Sequence, residues 1–260
     1  MTQQSTDRYA LVTGASRGLG KAIAIELTRR GYPTILVSRS DKVFEVCKEI
    51  TSQYGLPSVG FMADLTDPRS IDSLAEQVND NYQVFMLINN AGVGGTRRFV
   101  EASTQYLENI LDLNTKGTAL LTHALLPNLL RQSQAYILNI GSMAAHTPTG
   151  FKTVYPASKA FIHHFSLGLR EELKDTPVSV SVCSPGAMAT NDEVTARIKR
   201  QGFFGRFTLK SVESIAQKCV RQTLRGKRHI VISPVSYALS KMVPNAIKTP
   251  ILTRIVKREL

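Results

Sequence analysis

Tyr9-Ala10-Leu11-Val12-Thr13-Gly14-Ala15-Ser16-Arg17-Gly18-Leu19-Gly20-Lys21-Ala22-Ile23-Ala24-Ile25-Glu26-Leu27 is the stretch that decides the fold. Its first four residues are a short apolar run suited to a buried strand, and the residues after Gly20 carry apolar side chains at helical spacing. The turn between them reads G-x-x-x-G-x-G. Glycines there permit a tight bend and close backbone approach, and the start of the following helix offers N–H groups that have no partner within the helix. Strand, glycine turn and helix in this order make a cradle for the pyrophosphate of a dinucleotide. The spacing is not G-x-G-x-x-G, and read alone these glycines suit an ordinary turn.

The same alternation continues outward. Apolar runs recur at Thr34–Ser38, Val59–Ala63, Val84–Ile88, Ala135–Ile140, Val178–Cys183 and Arg228–Ile232, with helical stretches over 42–54, 68–80, 103–131, 155–174 and 211–225 between them. Near-continuous apolar strands separated by helices predict an α/β fold of Rossmann type, a doubly wound parallel sheet with helices on both faces. No linker interrupts the pattern, so a single domain is expected over residues 1–234, followed by a tail over 235–260. In such sheets ligands bind beyond the carboxyl ends of the strands. The polar residues Asn89, Ser142, Ser184 and Arg39 all follow or close those strands.

One of the helical stretches carries Tyr155-Pro156-Ala157-Ser158-Lys159, and Ser142 lies thirteen residues before Tyr155. Tyrosine and lysine four apart share a helix face. A phenol beside a fixed ammonium is an acid able to release its proton near neutral pH, and a serine from a strand end can hold an oxygen against it. These groups suit protonation of a carbonyl oxygen while hydride reaches its carbon. An unperturbed phenol titrates near pKa ~10, and a neighbouring cation lowers that value.

Thr13-Gly14-x-x-x-Gly18-x-Gly20, Asn89-Asn90-Ala91-Gly92, Ser142, Tyr155-x-x-x-Lys159 and Pro185-Gly186, in this order, resemble the short-chain dehydrogenase/reductase family, in its short single-domain branch. The resemblance spans roughly residues 8–233. It implies that Tyr155 is the general acid, that Lys159 also holds the nicotinamide ribose, and that Ser142 binds the substrate oxygen. It further implies that Asn114 distorts its helix and keeps a water against the lysine. Gly14, Ser16, Gly18, Leu19 and Gly20 would bind the dinucleotide. Asp64 would meet the adenine edge, Leu65 would offer its backbone, and Asn90, Ala91 and Gly92 would pass the ribose. Pro185, Gly186 and Thr190 match the family's P-G-x-x-x-T, which places Thr190 on the carboxamide. Helices 103–131 and 155–174 resemble the faces that form dimers and tetramers in this family, so a homodimer or homotetramer is expected.

The cofactor is expected to be NADPH. An NAD site places an acid about twenty residues beyond the glycine loop, whereas here the second strand ends Ser38-Arg39. The first acid, Asp41, is expected to cap the next helix. Arg39 with Arg17 and the Ser38 hydroxyl makes an anion site for a 2′-phosphate.

Charge is unevenly placed. Residues 197–260 carry fifteen Lys/Arg against Glu213 and Glu259, so the net charge of +12 comes wholly from the C-terminal quarter. Few aromatics suited to base stacking accompany it, and no nucleic-acid partner is expected. An anionic surface or ligand fits better. Three scattered cysteines and five histidines show no ligand spacing, so no metal is expected. The polar N-terminus lacks a signal peptide's apolar core. A cytoplasmic protein is expected, with peripheral membrane contact through the tail as a variant.

The substrate side is expected to include Met143, Ala144, Ala145, Thr147–Lys152 and Met188, under a lid that the family resemblance implies near 191–210. Phe203, Phe204 and Phe207 lie there among Arg197, Lys199, Arg200 and Arg206, an apolar floor with a basic rim that suits a lipophilic ketone bearing an anionic group. The tail reads as short amphipathic pieces broken by Pro244 and Pro250. It is suited to lying on a membrane, covering the site or completing an oligomer contact. The expected function is NADPH-dependent reduction of a lipophilic ketone, with 3-oxoacyl or long-chain 3-keto lipids as candidates. The alternatives are an alcohol or hydroxysteroid dehydrogenase working oxidatively, and a non-catalytic nucleotide-binding protein at a membrane surface or in regulation.

Overall fold

Seven strands pair in parallel in the order β3-β2-β1-β4-β5-β6-β7. They are β1 (Arg8–Thr13), β2 (Thr34–Ser38), β3 (Ser58–Met62), β4 (Gln83–Asn89), β5 (Ala135–Ile140), β6 (Val178–Ser184) and β7 (His229–Val231). The structure, a computed structural model, describes residues 8–186, Met188 and residues 210–260. Thr190 and the expected lid therefore lie outside the described residues, except for Lys210 at its end.

Alternation along each strand builds a core on each face of the sheet. Ala10, Val12, Leu36, Met86 and Ile88 pack on one side with Ile23 and Leu27 of α1 (Gly18–Arg29), Val46 and Ile50 of α2 (Lys42–Tyr54), and Ile215 and Val220 of α7 (Val212–Thr223). Leu11, Ile35, Val37 and Leu87 pack on the other side. Their partners are Leu74 and Val78 of α3 (Pro68–Asn81) and Leu121 and Leu125 of α5 (Thr118–Leu130). Burial on both faces is why the strands read as continuous apolar runs. The expected doubly wound sheet is observed.

The helix expected over 103–131 runs unbroken from Thr104 to Leu130, with one widened turn inside it. α4 (Thr104–Leu111) passes into a π-turn, Asp112–Gly117, before α5 begins. A Cβ on Gly117 would lie 2.3 Å from the Leu65 carbonyl oxygen, so the helix crosses the end of β3 in close contact. The widened turn swings Asn114 inward, where it is buried.

The tail also departs from expectation. It forms two helices, α8 (Pro234–Met242) and α9 (Asn245–Val256); Pro244 caps α9, but Pro250 lies inside it. Proline there forfeits one helical hydrogen bond, and tertiary contacts hold the segment. Thr253 Oγ1 accepts from Gly150 N at 2.9 Å, and Lys248 Nζ donates to the His146 carbonyl at 3.1 Å and to the Ser240 carbonyl. The buried Glu259 carboxylate accepts from Lys152 Nζ at 2.7 Å and from Thr96 Oγ1.

Candidate active site

The strand order reverses between β1 and β4, and the glycine turn sits at that switch point. Gly14 has φ +64°, and a Cβ there would meet Ala91 Cα at 2.9 Å; on Gly20 it would meet the Gly14 carbonyl at 2.3 Å. Side chains at these positions would displace backbone, so the turn depends on glycine. Thr13 Oγ1 accepts from Asn90 N at 2.9 Å and Ala91 N at 3.0 Å, while Asn90 Nδ2 donates to the Thr13 carbonyl at 2.9 Å. Asn90 therefore braces the glycine turn as well as lining the cavity.

Arg17, Ser16, Ser38, Arg39, Asp64 and Leu65 line the same end of that cavity. Ser38 Oγ donates to Ser16 Oγ at 3.0 Å. Asp64 Oδ1 accepts from Thr66 N at 3.0 Å and Thr66 Oγ1 at 2.8 Å. Burial pushes the Asp64 carboxyl up, but these bonds and the Arg39 charge outweigh it and leave its pKa lowered. Asp41 does not cap α2 through its side chain as expected. It sits in helical backbone, and the Ser40 hydroxyl accepts from Lys42 N at 3.3 Å instead.

The other end is built from β5, the π-turn and α6 (Val154–Glu172). Lys159 is buried, donates Nζ to the Ile140 carbonyl at 2.9 Å, and lies with Nζ 6.0 Å from the centre of the Tyr155 ring. Burial lowers its ammonium to a pKa of about 8. Gly94 lies against Tyr155: a Cβ there would come within 2.7 Å of the ring. Ser142 Oγ accepts from Ala144 N at 3.1 Å, which leaves its hydroxyl hydrogen for donation. Asn114 clamps the backbone of Val93, accepting from its N at 2.9 Å and donating to its O at 2.8 Å, and donates to Ser158 Oγ at 3.0 Å. Both amide hydrogens of Asn114 are thus engaged, and a water relay toward Lys159 would fall to its main chain.

A cavity of about 780 Å³ joins the two ends, and Gly14, Gly18, Leu19, Ala91, Gly92, Pro185 and Gly186 also border it. Gly20 lies in the first turn of α1 and is buried. The tail forms part of the wall: Ser233, Ser236, Ser240, Leu252, Ile255, Val256 and Glu259 face the cavity. Of the roles weighed for the tail, covering the site is the one observed. The contacts that hold it there join residues about a hundred positions apart, which no local pattern encodes.

A second grouping was also not legible. His146, His163 and His229, scattered in the sequence, offer ring nitrogens within 4.8 Å of one another. The spacing expectation of no metal site did not foresee this convergence.

The family model for short chain dehydrogenase matches residues 8–201. The chain belongs to the short-chain dehydrogenase family. As a member of it, the chain is an oxidoreductase with a nucleotide-binding Rossmann-type fold. It is 35% identical over 187 residues to the very-long-chain 3-oxoacyl-CoA reductase of Anas platyrhynchos, covering 70% of this chain and 60% of that protein. A short-chain dehydrogenase of Sphingobium yanoikuyae in complex with NADPH superposes with a TM-score of 0.78 at 25% identity, covering 92% of this chain and 97% of that one. A short-chain dehydrogenase/reductase of Burkholderia phymatum in complex with NAD gives 0.80 at 19% identity, covering 90% and 92%. Neighbours of this fold thus hold either nucleotide. Among the described residues, no helix is long and apolar enough to cross a membrane.

Proposed function

We propose that this short-chain dehydrogenase is an NADPH-dependent reductase of a lipophilic ketone, with a 3-oxoacyl or long-chain 3-keto lipid as the substrate class. The observation that carries the reading is one continuous cavity. It is lined by Arg17 and Arg39, by Ser142, Tyr155 and Lys159, and by Leu252, Ile255 and Val256 of the tail. Two guanidiniums and no acid at the end of β2 favour a 2′-phosphate over bare ribose hydroxyls. The apolar tail residues favour an alkyl chain, and the 3-oxoacyl-CoA reductase relative points the same way.

The cofactor's part is to supply hydride to the carbonyl carbon. Ser142 donates its hydroxyl hydrogen to the carbonyl oxygen and fixes it for attack. Tyr155 transfers its phenolic proton as the oxygen gains charge. Lys159, held by the Ile140 carbonyl, places a cation beside the phenol, stabilises its anion and so strengthens it as an acid. Asn114 keeps Val93 and the segment around Gly94 against Tyr155. Leu65, Asn90, Ala91, Gly92, Pro185, Gly186 and Thr190 complete the nucleotide site in this proposal.

Val235, Leu239 and Met242 of α8 and Ile247 and Ile251 of α9 are each more than half exposed. Lys241, Arg254, Lys257 and Arg258 are exposed on the tail, while Lys248 and the tail's single acid, Glu259, are bonded inward. This outer face suits peripheral contact with an anionic membrane, from which a lipid substrate could be drawn. A homodimer or homotetramer belongs to the same proposal.

The test is oxidation of NADPH and NADH over ketones graded by chain length. Higher kcat/KM with NADPH and with longer chains is expected. Equal use of both nucleotides overturns the cofactor assignment, and a flat response to chain length overturns the substrate class. Sedimentation with anionic vesicles, before and after truncation at Ser233, tests the membrane contact; equal binding by both forms rejects it.

A further inference from the structure

We propose that His146, His163 and His229 form a binding site for one divalent transition-metal ion of the zinc type, distinct from the hydride-transfer chemistry. The three come from the short turn after Ser142 (Met143–His146), from α6 and from β7. Their ring centres lie 4.8 Å (His146–His163), 5.0 Å (His163–His229) and 5.9 Å (His146–His229) apart.

Hydrogen bonding leaves two of the ring nitrogens open to a ligand. His146 Nε2 and His163 Nδ1 are buried without a partner, and an unsatisfied buried polar atom costs about 1–3 kcal/mol. Two such atoms in one cluster are unusual in a folded core. His229 differs, because its Nε2 pairs with Ser184 Oγ at 2.8 Å. That bond leaves Nδ1 for a ligand and fixes the ring, as an outer partner does for a metal-bound histidine. Three imidazoles without a carboxylate suit zinc, cobalt, nickel or copper and not magnesium or calcium, with a fourth position open to water.

Charge sets the conditions. Burial, the other rings and Lys241, Lys248, Arg228 and His164 all disfavour protonation, holding His146 and His163 at a pKa of about 4 and lowering His229. The lone pairs are therefore available at neutral pH. The same cations oppose any positive ion, so coordination must outweigh them. Only a metal that bonds all three nitrogens does so; a loosely held cation does not. Tyr237 of α8 packs on His146 and His229 at 5.1 and 5.0 Å between ring centres. A bound ion would join the Ser142 turn, the Tyr155 helix and β7 beneath the tail helix that walls the cavity.

The experiment titrates the full-length protein at neutral pH with Co²⁺, reading visible absorption, then displaces it with Zn²⁺. One equivalent is expected, with the intense bands of four-coordinate cobalt. His146→Gln, His163→Gln and His229→Gln should each weaken binding by roughly a hundredfold, and Ser184→Ala by about tenfold. His123→Gln should change nothing. Absence of saturable binding, or wild-type affinity in all three cluster variants, overturns the site. If a variant fails to fold, X-ray absorption of the zinc-loaded wild type decides. A shell of three imidazole nitrogens supports the site, and an oxygen-dominated shell refutes it.

Discussion

Lys159→Met should make the nucleotide-free protein more stable at pH 7 while removing turnover. Burial lowers the lysine from its ordinary 10.5 to about 8. At about 1.4 kcal/mol per tenfold change in protonation, the folded state carries about 3 kcal/mol of desolvation that the unfolded chain does not. Methionine keeps the volume and drops the charge. It also leaves the Ile140 carbonyl without its 2.9 Å donor, a loss of about 1–2 kcal/mol. The net gain is about 1–2 kcal/mol at pH 7. The pH dependence is the sharper test. Between about 8 and 10.5 the unfolded wild type binds more protons than the folded one, so wild-type stability rises with pH across this window. The variant lacks that contribution. Urea unfolding followed by circular dichroism, on both proteins at pH 7 and near pH 10, should show the stability difference moving by about 3 kcal/mol toward wild type. A difference that does not change with pH, or a variant about 2 kcal/mol less stable at pH 7, refutes the claim that this ammonium is held at the expense of stability.

Three further outcomes follow from named contacts. Gly94→Ala should lower kcat by about ten- to a hundredfold with KM for the nucleotide little changed, because its methyl displaces the Tyr155 ring and small misplacements are costly; steady-state kinetics check this. Tyr155→Phe should leave nucleotide binding nearly intact, measured by fluorescence titration, and remove most turnover; retained activity would deny it the role of acid. Arg39→Ala should raise KM for NADPH by about tenfold or more, the value of a charged hydrogen bond, and affect NADH much less. Equal effects on the two nucleotides would detach Arg39 from the 2′-phosphate.

Legibility followed the range of the interactions. The seven strands and the cradle were readable because burial on both faces writes itself as local apolar runs, and because Gly20 answers to the Gly14 carbonyl only six residues before it. Asn114 was recognisable by its motif, yet its clamp on Val93 depends on a π-turn that periodicity does not reveal. Asp41 read as a cap from residue type alone, and the neighbouring Ser40 took the bond because its hydroxyl met the Lys42 N–H.

By itself the sequence determined the sheet, the nucleotide cradle and the reacting side chains, since each is encoded within a few residues of the strand end or helix that presents it. Only the tertiary structure decided where the tail goes. Pro250 argued for a break, but Thr253, Lys248 and Glu259 find partners about a hundred or more positions away and hold the helix against the cavity. Likewise, no spacing rule joins His146, His163 and His229, because a turn, a helix and a strand meet only when the sheet closes over them.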